Sequence, residues 1–164
     1  MKPINQMKVV FPSLSSNEAF ARSAAAAFVA QLDPAVDELA DLRTAVSEAV
    51  TNCIVHAYAD RIGDITLTVR LYEGGKVSIK IRDRGCGITN ISQAMEPLFT
   101  TGGEERSGLG FSVMESFTDR LKVTSHPGRG TCVTMEKRVA QKIGRGREED
   151  GSASSAAKGR SKKH

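Results

Sequence analysis

The amino-acid sequence predicts an α/β two-layer sandwich of the α+β kind, a mixed, mostly antiparallel sheet with helices on one face. Three observations lead there. Asp64 to Tyr72 (DITLTVRLY) and Lys76 to Asp83 (KVSIKIRD) alternate apolar and polar residues, the period of half-buried strands. Glu73-Gly74-Gly75 between them is a hairpin signal, so the pair is antiparallel, with one face to pack and one to meet water. Two longer segments, 19–32 and 34–58, place apolar residues at helical spacing instead and supply the second layer.

In chain order, Met7 to Phe11 is short and apolar enough for an initial strand, which Pro12 ends. Ser15-Ser16-Asn17-Glu18 has the spacing of a capping box just ahead of the periodic run Ala19 to Leu32. Asp33 as N-cap, with Pro34 at the first helical position, starts a longer helix that runs to near Tyr58. After the hairpin, Ile91 to Met95 reads as a short helix, Pro97 to Ser107 as a Gly-containing loop and Leu109 to Asp119 as a helix. Leu121 to Ser125 and Thr131 to Lys137 finish as strands around the turn His126-Pro127-Gly128-Arg129-Gly130. No internal repeat is present.

The chain of 164 residues is long enough for one domain with a real core, expected over residues 1–139, followed by a basic tail over 140–164. The formal net charge of +4 is concentrated in that tail, KIGRGREEDGSASSAAKGRSKKH. From Gln141 onward only Ile143 is a sizeable apolar residue, so the tail cannot bury enough surface to offset the entropy of ordering and is expected to be disordered. It has no aromatic residue to stack on bases, which favours a solvated extension over direct nucleic-acid binding. The first half contains no apolar run long enough to span a bilayer, and MKPINQMKVVF lacks the pattern of a secretory signal, so a cytoplasmic protein without a membrane partner is expected. Three cysteines, Cys53, Cys86 and Cys132, form an odd count without a C-x-x-C pair, against both a disulfide framework and a zinc site; they read as small packing residues.

Three features carry chemistry. In SEAVTNCIVHAY, Glu48, Asn52 and His56 lie four residues apart and stack a carboxylate, an amide and an imidazole on one helix stripe, while Val46, Ala49, Val50, Cys53, Ile54 and Ala57 form the face that buries. Asn52 offers a side-chain oxygen suited to a hard cation, and Glu48 a carboxylate able to accept a proton. Asp83-Arg84-Gly85-Cys86-Gly87 follows a strand directly; its glycines allow close backbone approach to a ligand, and a tight turn accounts for the same pattern. Ser107-Gly108-Leu109-Gly110 precedes a helical segment, where free N–H groups and the helix dipole favour phosphate.

E-x-x-x-N on a helix, D-x-G-x-G after a strand, G-x-G closing a Gly/Ser/Thr loop and a late Gly130-Thr131 together resemble the GHKL, or Bergerat-fold, ATPases, which include gyrase and the histidine kinases. The resemblance is closer to the anti-sigma factor serine kinases of the sporulation type, in FARSAAAAFVAQLDP, VSEAVTNCIVHAY, IRDRGCGI, PLFTT and ERSGLGF, and it covers Met1 to Arg138. It implies that Asn52 holds Mg²⁺ against the phosphates of ATP or ADP and that Glu48 is the catalytic base. Asp83 would accept a hydrogen bond from the adenine amino group, Gly85 and Gly87 would let the base lie close beside Ile88, and Thr131 would complete the adenine contact through water. A lid from Leu98 to Ser107 would close over the phosphates, with Thr101 and Arg106 on it, Arg106 neutralising γ-phosphate charge, and Ser107, Gly108, Leu109 and Gly110 lining the phosphates. Arg22 matches an arginine on the surface that the family uses for both sigma factor and antagonist. His56 is left outside the site as a wet helix-end histidine. Ala57 stands where the family often has Gly, Cys53 and Cys86 where other small or apolar residues are common, and the tail has no counterpart.

The resemblance implies a dimeric, ATP-binding anti-sigma factor that sequesters a sigma-F-like sporulation sigma factor and phosphorylates a serine on a small STAS-domain antagonist. Rivals are a general-stress switch kinase of the same superfamily, an ATP-gated binding module without kinase activity, a histidine-kinase catalytic domain, for which nothing before Met7 could be the phosphoacceptor helix, and a nucleic-acid binder driven by the tail.

Overall fold

The computed structural model describes residues 1–95 and 110–140. The expected loop 97–107, with Thr101, Arg106 and Ser107, lies outside the described residues, as do Gly108, Leu109 and the tail from 141 onward.

Five strands form one sheet: β1 (Asn5–Pro12), β2 (Asp64–Leu71), β3 (Lys76–Arg82), β4 (Arg120–His126) and β5 (Gly130–Arg138), in spatial order β1-β2-β3-β5-β4. Every neighbouring pair is antiparallel, so the expected mixed sheet is corrected to a wholly antiparallel one. The reason lies in the order of the strands. Both β3 and β4 run opposite to β5 and therefore share a direction, as two strands joined across a helix should, but β5 lies between them.

The register sorts the two faces. Val9, Leu67, Ile81, Val133 and Val123 form one row across all five strands and face the helices, whereas Lys8, Thr68, Lys80, Thr134 and Lys122 form the adjacent row on the open face. Each apolar side chain buried this way contributes roughly 1.5–3 kcal/mol relative to exposure.

Helix α1 (Ser16–Val29), with a 3₁₀ turn at Ala30–Leu32, packs beside α2 (Val36–Asn52); short α3 (Ile91–Ala94) and α4 (Gly110–Phe117) complete the layer. Ala21, Ala25 and Val29 recur every fourth residue on the buried stripe of α1 and meet Leu42, Ala45, Val46, Ala49 and Val50 of α2 in one core. Neither predicted cap forms as expected. Ser15 is helical (φ −58°, ψ −31°) and makes no side-chain cap. Glu18 instead accepts from Ser47 and from Arg22, because α2 presents a hydroxyl within its reach. Asp33 adopts the left-handed conformation (φ 51°) that ends the 3₁₀ turn, and α2 begins only after Ala35. There Glu38 accepts from the Ala35 N–H at 3.1 Å and from the Ala140 N–H at 2.9 Å, tying the helix start to the end of the sheet.

The predicted single helix to Tyr58 is also corrected. It is α-helical to Asn52 and then widens into a π-helical turn, Cys53–Ala57, closed by the Tyr58 N–H on the Cys53 carbonyl at 3.0 Å. Tyr58 Oη then donates to the Asp64 carbonyl and accepts from the Arg84 N–H, each at 2.7 Å, which pins the end of this turn to the ends of β2 and β3.

Candidate functional site

A cavity of about 490 Å³ opens between the end of α2, the loop after β3, the starts of α3 and α4, and the start of β5. Asp83 lies at its floor, 5 % exposed. It sits there because β3 delivers it one residue past the strand end, where its own N–H donates to the Thr131 carbonyl at 2.9 Å. Asp83 Oδ1 accepts from the backbone N–H of Gly85 at 2.9 Å and of Thr131 at 3.2 Å, and Oδ2 accepts from the Cys53 thiol at 3.5 Å. Burial pushes this carboxyl above the usual carboxylate range, and these donors pull it back toward ionisation. The result is an acceptor in a low-dielectric wall, suited to an N–H donor on an otherwise apolar planar ligand.

The glycines of the loop meet a nearer neighbour than a ligand. A Cβ on Gly85 would collide with the Ala57 carbonyl of the π turn, and Cys86 N–H donates to that same oxygen at 3.0 Å. Gly87 has φ +74°, and a Cβ there would collide with the His126 carbonyl. The backbone that approaches these two glycines in the structure belongs to the chain itself. Gly87 still lines the cavity, with Ile88 beside it, and Gly85 does not. Ile88 is fixed by its N–H donating to Ser125 Oγ at 2.7 Å; Ser125 also donates to the Gly130 carbonyl at 3.1 Å and shares a hydrogen bond of 2.8 Å with Thr131 Oγ1. Ser125 was not among the expected site residues. The signal was there, since a serine at an inward position of a strand, after Leu121 and Val123, is a polar group needing a buried partner.

Toward α4, Glu48 and Asn52 converge as their spacing predicts. A Cβ on Gly110, the first residue of α4, would lie 3.2 Å from both terminal atoms of the Asn52 amide and 3.4 Å from Glu48 Oε2. Gly110 thus brings a helix start directly over the pair, and Asn52 lines the cavity. Burial first, and the Glu18 carboxylate second, push Glu48 above the ordinary carboxylate range, which makes it a stronger proton acceptor than an exposed carboxylate. His56 lines the same cavity as Asn52, although the sequence left it outside. His56 lies within the π turn Cys53–Ala57, which also contributes Cys53 and Ala57 to the lining.

Arg22 belongs elsewhere. It pairs with Glu18 at 3.4 Å and borders a second concavity of about 420 Å³ with Val36, Leu39, Arg43 and Ser47, between α1 and α2. Of the cysteines, Cys53 is buried as expected, whereas Cys86 is exposed and Cys132 half-buried; Cys53 and Cys86 both line the cavity rather than merely filling a core.

The donors fit a nucleotide and a hard cation. One end offers a buried carboxylate to an amino-substituted ring; the other offers an amide oxygen and a carboxylate beneath the start of a helix, where phosphate is favoured. No helix among the described residues is long and apolar enough to cross a membrane.

Residues 11–137 match the family model described as histidine kinase-like ATPase domain. The chain is 53 % identical over 140 residues to the anti-sigma F factor of Thermoanaerobacter sp. strain X514, covering 85 % of this chain and 97 % of that protein. It is also 53 % identical over 135 residues to the anti-sigma F factor of Clostridium beijerinckii, covering 82 % and 94 %. Among solved structures, the RsbU and RsbW domains of Rv1364c from Mycobacterium tuberculosis superpose with a TM-score of 0.61 at 20 % identity, over 84 % of this chain and 33 % of that one, a likeness of fold. The chain belongs to the histidine kinase-like ATPase domain family, the GHKL ATPases, on the branch that holds these anti-sigma F factor relatives.

Proposed function

We propose that this protein is an anti-sigma factor that binds a sigma-F-like sporulation sigma factor and, with Mg-ATP, phosphorylates a serine on a STAS-domain antagonist. The observation that carries the reading is the polarity of one cavity: Asp83 stands at its floor and Asn52 lines its other side against Gly110, with Glu48 beside Asn52 beneath that glycine. The relatives named anti-sigma F factor support a sigma factor as the partner.

In this reading Asp83 accepts from the adenine amino group, and Ser125 and Thr131 order the contact beside it. Asn52 would hold Mg²⁺, which when bound supplies charge neutralisation for the phosphates. Glu48 accepts the proton of the antagonist's serine hydroxyl. The serine oxygen bonds to the γ-phosphorus, the bond from that phosphorus to the β–γ bridging oxygen breaks, and ADP leaves with those electrons. Such transfer needs little covalent chemistry from the protein, so positioning and charge supply most of the rate. Arg22 and the concavity beside it form the surface shared by sigma factor and antagonist, residues 1–139 form the working domain, and the protein acts as a dimer in the cytoplasm.

The test is transfer from γ-labelled ATP with Mg²⁺ to the STAS protein of the same genome, comparing the native chain with Glu48→Ala and Asn52→Ala. Label on serine, lost in both variants, is expected. Absence of transfer while ATP and sigma factor still bind would reduce the protein to an ATP-gated binding module.

A further inference from the structure

The floor of the cavity contains a residue whose type the nucleotide reading does not by itself require. Cys53 is 4 % exposed, opens the π turn, lines the cavity and places its thiol 3.5 Å from Asp83 Oδ2. The two carboxylate oxygens are held differently. Oδ1 takes two backbone N–H groups, from Gly85 and Thr131, while Cys53 is the one donor to Oδ2 among the described residues. Oδ1 is anchored by backbone donors alone, whereas the orientation of Oδ2 depends on a side chain.

We propose that Cys53 is a positioning residue for base selectivity: its thiol directs Asp83 Oδ2 so that the oxygen's remaining lone pair meets an amino-substituted purine and opposes an oxo-substituted one. The inference rests on the reading of this cavity as a nucleotide site and deepens it. A carboxylate oxygen accepts more than one hydrogen bond, so the thiol and a ring amino group can share Oδ2. A purine bearing an oxo group at the same place would present an acceptor to an acceptor, which costs the complex the full penalty of an unpaired buried group. Without the thiol, the carboxylate has more freedom to turn. Its ionised form also loses one of its stabilising donors, so a protonated Asp83 that can donate to an oxo group is closer in free energy. Discrimination should therefore fall further than affinity.

The experiment measures equilibrium binding of ATP and GTP to the full chain in its native form and as Cys53→Val, Cys53→Ser and Cys53→Ala, with melting curves for each. Val keeps the volume without a donor, Ser keeps a donor, and Ala keeps neither. The expected result is a loss of about 3- to 10-fold in the ATP-to-GTP affinity ratio for Val and Ala, the span of one weak hydrogen bond, and a ratio near native for Ser. A native ratio in Val and Ala overturns the proposal, and so does a ratio lost equally in Ser and Val, which would leave a packing role. Asp83→Asn runs beside them: if the native chain binds ATP and that variant loses it, the nucleotide reading stands whatever Cys53 does. Failure of the native chain to bind either nucleotide overturns both. The infrared S–H stretch gives a readout independent of binding. The band present in the native chain and missing from Cys53→Val should lie below the frequency of a solvent-exposed thiol, and a band at the exposed frequency overturns the hydrogen bond itself.

Discussion

Replacing Asp83 separates what its carboxylate does for the fold from what it does for the ligand. In Asp83→Ala the N–H groups of Gly85 and Thr131 lose their acceptor in a buried site. Each such loss costs about 1–3 kcal/mol, so about 2–6 kcal/mol in all. Removing a carboxyl that burial disfavours as an anion returns part of this, and a net loss of about 2–4 kcal/mol is expected. In a domain of this size that lowers Tm by roughly 5–15 °C. Asp83→Asn keeps an oxygen for both N–H groups and replaces the other with an amino group, so its Tm should stay within about 3 °C of native. Its new donor, however, faces the amino group of adenine. Loss of a charge-assisted hydrogen bond together with an unpaired buried donor is worth about 3–4 kcal/mol, a fall in ATP affinity of about 10²- to 10³-fold. Melting by circular dichroism and titration with a fluorescent ATP analogue give the two numbers. Native ATP affinity in Asp83→Asn, or a Tm as low as that of Asp83→Ala, would refute the reasoning.

Four further outcomes follow from the same geometry. Gly110→Ala places a methyl group 3.2 Å from the Asn52 amide and 3.4 Å from Glu48 Oε2, so phosphoryl transfer should fall by about 10- to 100-fold while Tm changes little; equal losses in both would contradict it. Gly85→Ala drives a Cβ into the Ala57 carbonyl and should destabilise the fold by about 3 kcal/mol or more, visible as a lower midpoint in urea at unchanged m. Glu48 has its proton affinity raised above the ordinary 4.5, so the native state holds its proton to higher pH than the unfolded chain does. Its contribution to stability is complete below that ordinary value and is lost as pH rises through the folded one; Glu48→Gln should therefore melt higher than native at neutral pH, while losing transfer. Glu18→Gln removes the like charge that helps to raise Glu48, so the acidic limb of the kcat/KM profile should move to lower pH; a shift upward would reverse the sign of the argument.

Much of this molecule was legible because its signals are local. The period-2 alternation of Asp64–Leu71 and Lys76–Arg82 carries its own register, and a hairpin as short as Glu73–Gly75 leaves one pairing available. Glu48 and Asn52 share a face because helical geometry alone puts residues four apart in line, and Gly110 meets both. The misread caps failed for a matching reason. Ser15 and Asp33 carry the right side chains, but Ser47, Ala35 and Glu38 decide what their segments bond to, and these are contacts between elements.

The sequence by itself determined most of the elements, the antiparallel hairpins and the shared helix face of Glu48 and Asn52, since periodicity, turn chemistry and spacing act over a few residues. Only the tertiary structure decided where β5 lies, how the π turn redirects the end of α2, that His56 and Cys53 line the cavity with Asp83, and that Ser125 bonds Ile88 and Thr131 in its wall. Those outcomes depend on pairing residues about 30 or more positions apart, such as Cys53 with Asp83 and Asp83 with Thr131, and the free energy that fixes such pairs comes from burying and satisfying them together.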